Sequence, residues 1–246
     1  MIDNDLDIER WRAELAARGR VQIPNFLQRP AAEAFANELA ERVPWQLAER
    51  SEGESRTTPR GEYPDDAEYA RLLQRGYALA TDRYQFAYDS YMLPKAAREG
   101  WDPSLLVHGL LRFFNTEDYL RFAHYLGDDP AITHTTAQCT RYRPGQYLMP
   151  HDDQDDDEGR RYAFVINLSR DWRPDWGGQL QFLDADGNVV ETFLPRWNSL
   201  SLFRVPQRHQ VTLVSPWAAW PRHAVTGWWL AKDAGEQARQ PIASIE

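Results

Sequence analysis

Residues 161–215 read RYAFVINLSRDWRPDWGGQLQFLDADGNVVETFLPRWNSLSLFRVPQRHQVTLVS. Short runs rich in Val, Ile, Leu, Phe and Thr alternate here with clusters of Gly, Pro, Asp and Asn. Short strands at regular spacing, joined by turn chemistry, predict a β-sandwich or barrel. The segment DADGN at 184–188 suits a hairpin turn, with Gly187 and Asn188 able to take positive φ. The pattern extends outward to ITHTTAQCTRY at 132–142 and to RHAVTGWWL at 222–230. A β-rich core over 130–231 is therefore predicted, followed by a polar tail at 232–246.

Before residue 130 the periodicity changes. Ile8, Trp11 and Leu15 fall at helical spacing before Gly19, and Phe35, Leu39 and Val43 form a stripe between Pro30 and Pro44. Val21 and Ile23 share one face of a short strand, and Tyr84, Phe86 and Tyr88 one face of another. Two further helices are predicted within 104–114 and 115–127, the second ending at Gly127. The stretch SEGESRTTPRGEYPDD at 51–66 has almost nothing to bury and reads as a long loop or lid. Residues 1–129 are thus expected to brace the β core as part of a single domain spanning 1–246.

A chain of 246 residues, 42% hydrophobic and 26% charged, suits one large domain with a real core. A net charge of -9 argues against a nucleic-acid partner, because phosphate contacts want a basic face. No apolar run reaches membrane-spanning length, and the acidic start MIDNDLDIER is not a signal peptide. Cys139 stands alone, which excludes an internal disulfide and a cysteine zinc site. The expectation is a soluble cytoplasmic protein without a membrane partner.

The chemistry gathers around HDDQDDDEG at 151–159, where six acidic side chains follow one histidine. A run of like charges is ordinarily a solvated loop. His151 and Asp153, however, are two apart, and in an extended chain both face one way while Asp152 faces the other. One imidazole and one carboxylate aimed together can chelate a metal, given a third ligand downstream. His209 and His223 both qualify. In an extended RHAVTGW, Arg222, Ala224 and Thr226 share a face and His223 lies on the opposite one. A buried arginine needs an anion, and its planar fork suits a carboxylate. His209 as ligand with Arg222 as anion clamp gives the coherent pocket. Two histidines and one carboxylate on one face of a metal form the facial triad of non-haem Fe(II) oxygenases.

Taken with their neighbours, these residues resemble the Fe(II)/2-oxoglutarate-dependent dioxygenases, in particular the prolyl 4-hydroxylase-like branch. RYRPGQYLMPHDD at 141–153 is similar to that branch's Tyr, Pro-Gly-Gln-Tyr, His-x-Asp pattern. WGGQLQF at 176–182 resembles its Gly-Gly-x-Leu-x-Phe strand, and RHQV at 208–211 with PRHAVTGWWL at 221–230 its distal histidine and cosubstrate arginine. The resemblance is firm over about 130–231 and weaker through the first helices. It implies a double-stranded β-helix, or jelly roll, with flanking helices, in an α+β chain that is mainly β.

The resemblance further implies Fe(II) held by His151, Asp153 and His209, and 2-oxoglutarate held by Arg222. Tyr142 matches the tyrosine that hydrogen-bonds the cosubstrate, and Thr226, on Arg222's face, is a candidate contact to the same carboxylate. The implied reaction uses O2 to hydroxylate an unactivated C–H bond of a peptide or small molecule, a prolyl residue being the central theme. Ascorbate is a candidate addition to the cofactors. An intact Asp153 disfavours halogenation, for which that carboxylate is replaced by a small residue. Tyr147 reads as core packing, Cys139 as a small buried apolar residue, and Trp172, Trp176, Trp217 and Trp220 as candidates to line a substrate entrance. Two rivals are a jelly roll that binds a metal or ligand without turnover, and a cupin-like enzyme that needs no keto acid. The second leaves Arg222 without a role.

Overall fold

Asp7 accepts a hydrogen bond from the Arg10 amide and Gly19 closes the other end at φ 69, so α1 (Ile8–Arg18) has the bounds its apolar spacing predicts. The computed structural model describes residues 1–51, 53–155 and 158–231; the expected tail at 232–246 lies outside the described residues. β1 (Arg20–Ile23) buries Val21 and Ile23, and Pro30 sits in the first turn of α2 (Arg29–Glu41).

The expected loop at 51–66 departs from its reading. β2 (Gln46–Ser51) and β3 (Glu54–Thr57) form an antiparallel hairpin, and only 58–65 is irregular. Backbone pairing, not burial, holds β3, whose four residues are all exposed, and that is why hydrophobicity does not reveal it. α3 (Asp66–Leu79) likewise lies where no helix is expected. Asp65 caps it through the Glu68 amide, and it buries only Tyr69 and Leu73.

β4 (Phe86–Met92) follows as expected, then α4 (Leu93–Arg98), α5 (Val107–Phe114) and α6 (Glu117–Gly127). Gly127 still belongs to α6, and Asp128, at φ 51, makes the left-handed turn expected of that glycine. The β-rich half comprises β5 (His134–Tyr142), β6 (Tyr147–His151), β7 (Arg160–Asn167), β8 (Leu180–Leu183), β9 (Val189–Phe193), β10 (Ser199–Arg204), β11 (His209–Val211) and β12 (Arg222–Leu230). In the hairpin between β8 and β9, Gly187 takes positive φ (87°) and Asn188 does not.

The strands run β1-β10-β7-β12-β5-β4-β6-β11-β8-β9, with β2 attached to β4, and the neighbouring pairs are antiparallel. This sheet curls into a nearly closed jelly roll. Its two end strands, β1 and β9, are bridged by Arg20 Nε to Glu191 Oε2 at 2.5 Å. α1, α2, α5 and α6 pack on the outside of the β12–β7–β10 wall, whereas α3 packs against β2, β4 and β6. Leu15, Leu39, Phe114 and Tyr119 share one apolar cluster with Phe164, Val225 and Trp229. Each such large side chain contributes roughly 1.5–3 kcal/mol on burial. The rigid wall so formed leaves the opposite face of β12 free to line a cavity.

Candidate metal centre and cosubstrate pocket

β6 and β11 pair antiparallel with His151 directly opposite His209, so sheet register alone sets the two imidazoles face to face, ring centroids 4.1 Å apart. His151 Nδ1 lies 2.9 Å from the Met149 carbonyl and His209 Nδ1 2.7 Å from the Gln207 carbonyl. A carbonyl only accepts, so each Nδ1 carries a proton; the His209 Nε2 keeps its lone pair, while the His151 Nε2 faces the Asp153 carboxylate.

Asp153 reaches the same point by a different route. The strand ends at His151, and Asp153 stands in the left-handed region at φ 62. The extended-chain argument for a shared face is therefore corrected: a turn, not strand alternation, swings the carboxylate inward. Its Oδ1 is 3.4 Å from His151 Nε2 and its Oδ2 is 3.6 Å from His209 Nε2. One ligand atom from each of the three residues lies within 4.8 Å of the others. Three such atoms fit a divalent cation bound on one face, which leaves its other positions to exogenous ligands.

Burial alone would raise the Asp153 carboxyl, but the His151 hydrogen bond and the neighbouring His209 outweigh it and hold it down to about 2. Burial, reinforced by His151, pushes His209 down to about 4, so its imidazole is neutral and ready to ligate. Burial opposes protonation of His151 as well, yet the Asp153 carboxylate prevails and raises it. Asp152, outside the cluster, is exposed.

The same residues line a cavity of about 370 Å³ whose far wall carries Arg222, Tyr142, Leu148, Leu180 and Val211. Arg222 is 2% exposed, and its one hydrogen bond donates from Nη2 to Asn167 Oδ1 at 3.3 Å. Its Nε and Nη1 are buried without a partner. Burial pushes this guanidinium below its ordinary value, and a buried charge with unpaired donors calls for an anion. Tyr142 pairs with Arg222 across β5 and β12, is buried, and stacks on Tyr88 at 5.4 Å. Thr226 lines the cavity farther along β12, on the same strand face as Arg222. A cation site and an orphaned cationic fork in one cavity match a metal together with a dicarboxylate that bridges the two.

His223 points out of this cavity. It stacks on Trp45 at 5.9 Å, and burial lowers its pKa to about 4. The expected tryptophan entrance is corrected as well. Trp172, Trp176 and Trp220 pack edge to face behind the Arg222 wall, Trp217 is 64% exposed, and none lines the cavity. The lining tryptophan is Trp228, at an alternate position of β12 from Thr226, and the strand pattern that selects Thr226 selects it equally. Tyr84, whose ring lies 6.2 Å from that of His151, and Arg160 also line the cavity without a motif that marks them. Ser55, Arg56 and Thr57 of β3 form part of the rim. Tyr147 packs with Leu47, Tyr69, Leu73 and Ala87, and Cys139 is fully buried, both as expected.

Residues 137–230 match the family model described as 2OG-Fe(II) oxygenase superfamily. Prolyl 3-hydroxylase OGFOD1 of Xenopus laevis is 39% identical over 83 residues, which is 31% of this chain and 16% of that protein. The matched region is thus less than a fifth of that relative's length. In fold, the chain is similar to a Pseudomonas putida prolyl-4-hydroxylase, with TM-score 0.56 and 20% identity, covering 95% of this chain and 98% of that one. A 2OG-Fe(II) oxygenase family oxidoreductase from Burkholderia pseudomallei superposes with TM-score 0.60 at 15% identity, covering 95% of each chain. The jelly roll and the His-Asp-His cluster agree with the family match, so the core over residues 137–230 resembles the 2OG-Fe(II) oxygenase superfamily, whose cofactors are Fe(II), 2-oxoglutarate and O2.

Proposed function

We propose that this protein hydroxylates an unactivated C–H bond of a peptide or small molecule, with a prolyl residue as the first substrate class to test. His151, Asp153 and His209 are the residues that would hold Fe(II), and Arg222 the residue that would hold the distal carboxylate of 2-oxoglutarate. The observation that carries this reading is the buried Arg222 guanidinium, with Nε and Nη1 unpaired, in the same cavity as the three-residue cluster. A metal-binding module without turnover has no use for that fork, and a keto acid does.

Bound together, Fe(II), 2-oxoglutarate and O2 supply the oxidising power: the keto acid leaves as succinate and CO2, and one oxygen atom enters the C–H bond. The chain's own contribution is positional. Backbone carbonyls at Met149 and Gln207 orient the imidazoles, so in each ring Nε2 is the nitrogen left facing the metal position. The Arg222 fork offers two parallel charge-assisted donors, which set the depth of the dicarboxylate. Tyr142, stacked against Tyr88 and beside that fork, is assigned the cosubstrate hydroxyl contact, with Thr226 assigned to the same carboxylate. Leu148, Leu180 and Val211 exclude water around it. The polar rim of Ser55, Arg56 and Thr57 faces the side left for substrate.

We read residues 1–231 as one functional unit, supported by the apolar cluster that α1, α2, α5 and α6 share with β7 and β12. The test is succinate release with Fe(II), O2 and 2-oxoglutarate, over prolyl peptides, free proline and other amino acids. Substrate-stimulated succinate release with a mass gain of one oxygen atom on one candidate is the expected result. A wild type that binds metal but neither binds nor consumes 2-oxoglutarate would return the reading to a binding module.

A further inference from the structure

Arg160 opens β7 seven positions beyond Asp153, and its side chain is only 18% exposed although Glu158, two positions before it, is exposed. The guanidinium carbon lies 4.1 Å from the centre of the Trp228 ring, so the flat cation stacks on the indole. Nη1 donates to the Asp153 main-chain carbonyl at 3.3 Å and sits 3.9 Å from Asp153 Oδ1. On its other side, Nε and Nη2 are both 2.8 Å from Glu158 Oε2, and Nη2 is 3.7 Å from Asp155 Oδ2. The indole N–H of Trp228 is buried without a hydrogen-bond partner.

We propose that Arg160, stacked on Trp228 and neutralised by Glu158, is the positioning residue that holds Asp153 in its left-handed turn and so closes the His151–Asp153–His209 cluster. The proposal rests on the reading of that cluster as a metal site. Two physical facts lead to it. At φ 62 Asp153 takes the left-handed turn that Asp102, Asp128 and Asp171 also adopt, so the turn is open to aspartate and what has to be fixed is the direction in which it sends the carboxylate. Among the described residues, the grip on the Asp153 carbonyl comes from Arg160. Second, a bare cation near a divalent metal would repel it, whereas Glu158 at 2.8 Å cancels most of that charge. The acidic stretch after His151 is thereby more than a solvated loop, since Glu158 tethers and neutralises the arginine that shapes the carboxylate ligand.

The experiment is a Mn(II) titration of the full-length apoprotein, read by the paramagnetic resonance of free Mn(II), alongside thermal unfolding of the metal-free protein. Arg160→Met is expected to weaken Mn(II) binding roughly 10–100-fold, the range for lost outer partners of metal ligands. Arg160→Lys should recover part of the loss, because it keeps the charge and one donor. Trp228→Phe leaves a smaller ring under the guanidinium, giving a smaller loss than Arg160→Met. Each variant should unfold near the wild-type temperature, which separates positioning from general stability. Should Arg160→Met fail to fold, Arg160→Lys and Trp228→Phe still decide the matter. Wild-type Mn(II) affinity in the folded Arg160 and Trp228 variants overturns the proposal. A wild type that binds no Mn(II) overturns the metal-site reading instead.

Discussion

The two ends of the cavity are built on opposite principles. At the metal end, the three candidate ligands have neighbours in the chain: both Nδ1–H groups donate to carbonyls, and the Asp153 carboxylate lies between two imidazoles. At the Arg222 end, two donors of a fully buried cation have no partner. The first end is pre-assembled and gains a cation by filling a gap between ligands already aimed. The second is incomplete without an anion, and its desolvation cost is recovered only when one binds. The contrast implies that loss of a group at the metal end abolishes binding outright, while loss at the other end shifts an affinity.

The largest effect should follow from breaking the metal end. His209→Ala is expected to abolish stoichiometric divalent-metal binding in equilibrium dialysis, as should Asp153→Ala, whereas His223→Ala and Asp152→Ala should bind one metal per chain. Equal losses at Asp152 and Asp153, or at His223 and His209, would dissolve the distinction between the cluster and its surroundings.

Next comes the anion end. Arg222→Ala removes a paired, desolvated fork, a loss of about 2–5 kcal/mol, or roughly 30-fold to several-thousand-fold in affinity. The half-saturating 2-oxoglutarate concentration in the succinate assay should rise by that factor while metal stays bound. Arg222→Lys should fall between, since an ammonium keeps charge but not the fork. Loss of metal in Arg222→Ala would show the two ends to be one coupled unit.

A smaller change sharpens the same end. Thr226→Val keeps shape and deletes a hydroxyl. If Thr226 meets the carboxylate held by Arg222, the 2-oxoglutarate requirement should rise by about 3- to 10-fold, the worth of one neutral hydrogen bond. An unchanged requirement assigns Thr226 to the substrate side.

The smallest effect is read on stability, outside the cavity. His223 is lowered to about 4 by burial, against an ordinary value near 6.5. The unfolded chain therefore binds more protons between those values, so this contribution to stability is complete above about pH 6.5 and lost as pH falls toward 4. His223→Phe should flatten that acid limb in denaturant titrations of the metal-free protein. The flattening will be partial, because His209 is lowered in the same direction. An unchanged slope would mean that His223 is not the neutral stacking partner of Trp45.

Much of this site is legible in the sequence because strands repeat simply. The alternation in RHAVTGWWL puts Arg222 and Thr226 on one face and His223 on the other, and the cavity follows that division. The β-rich runs from 132 to 230 form strands in the order expected. The failures occur where burial is weak or non-local. β3 is exposed throughout and so leaves no alternating trace, whereas α3, which buries Tyr69 and Leu73, carries as much helical spacing as α1 and follows directly on the polar stretch read as loop. The loop tryptophans look free to line an entrance when read locally, yet Trp176 is drawn into a cluster with Tyr142, Val214 and Ala218 that no local pattern reveals.

By itself the sequence determined the residue types, their spacing and the strand faces, since side-chain direction in a strand depends only on odd or even position. Those sufficed for a β-sandwich or barrel, which the family resemblance narrowed to a jelly roll, for two histidines and an aspartate as one set, and for an arginine opposite them. Only the tertiary structure decided how the set comes together. The pairing of β6 with β11 places His151 against His209, far apart in the chain, through a register that depends on the whole sheet. A left-handed turn at Asp153 replaces the extended chain, and Arg160, brought in by β7 and stacked on Trp228 of β12, bonds its carbonyl. The desolvation that leaves Arg222 in want of an anion is likewise a property of the closed cavity, for no arginine is short of partners until water has been removed from around it.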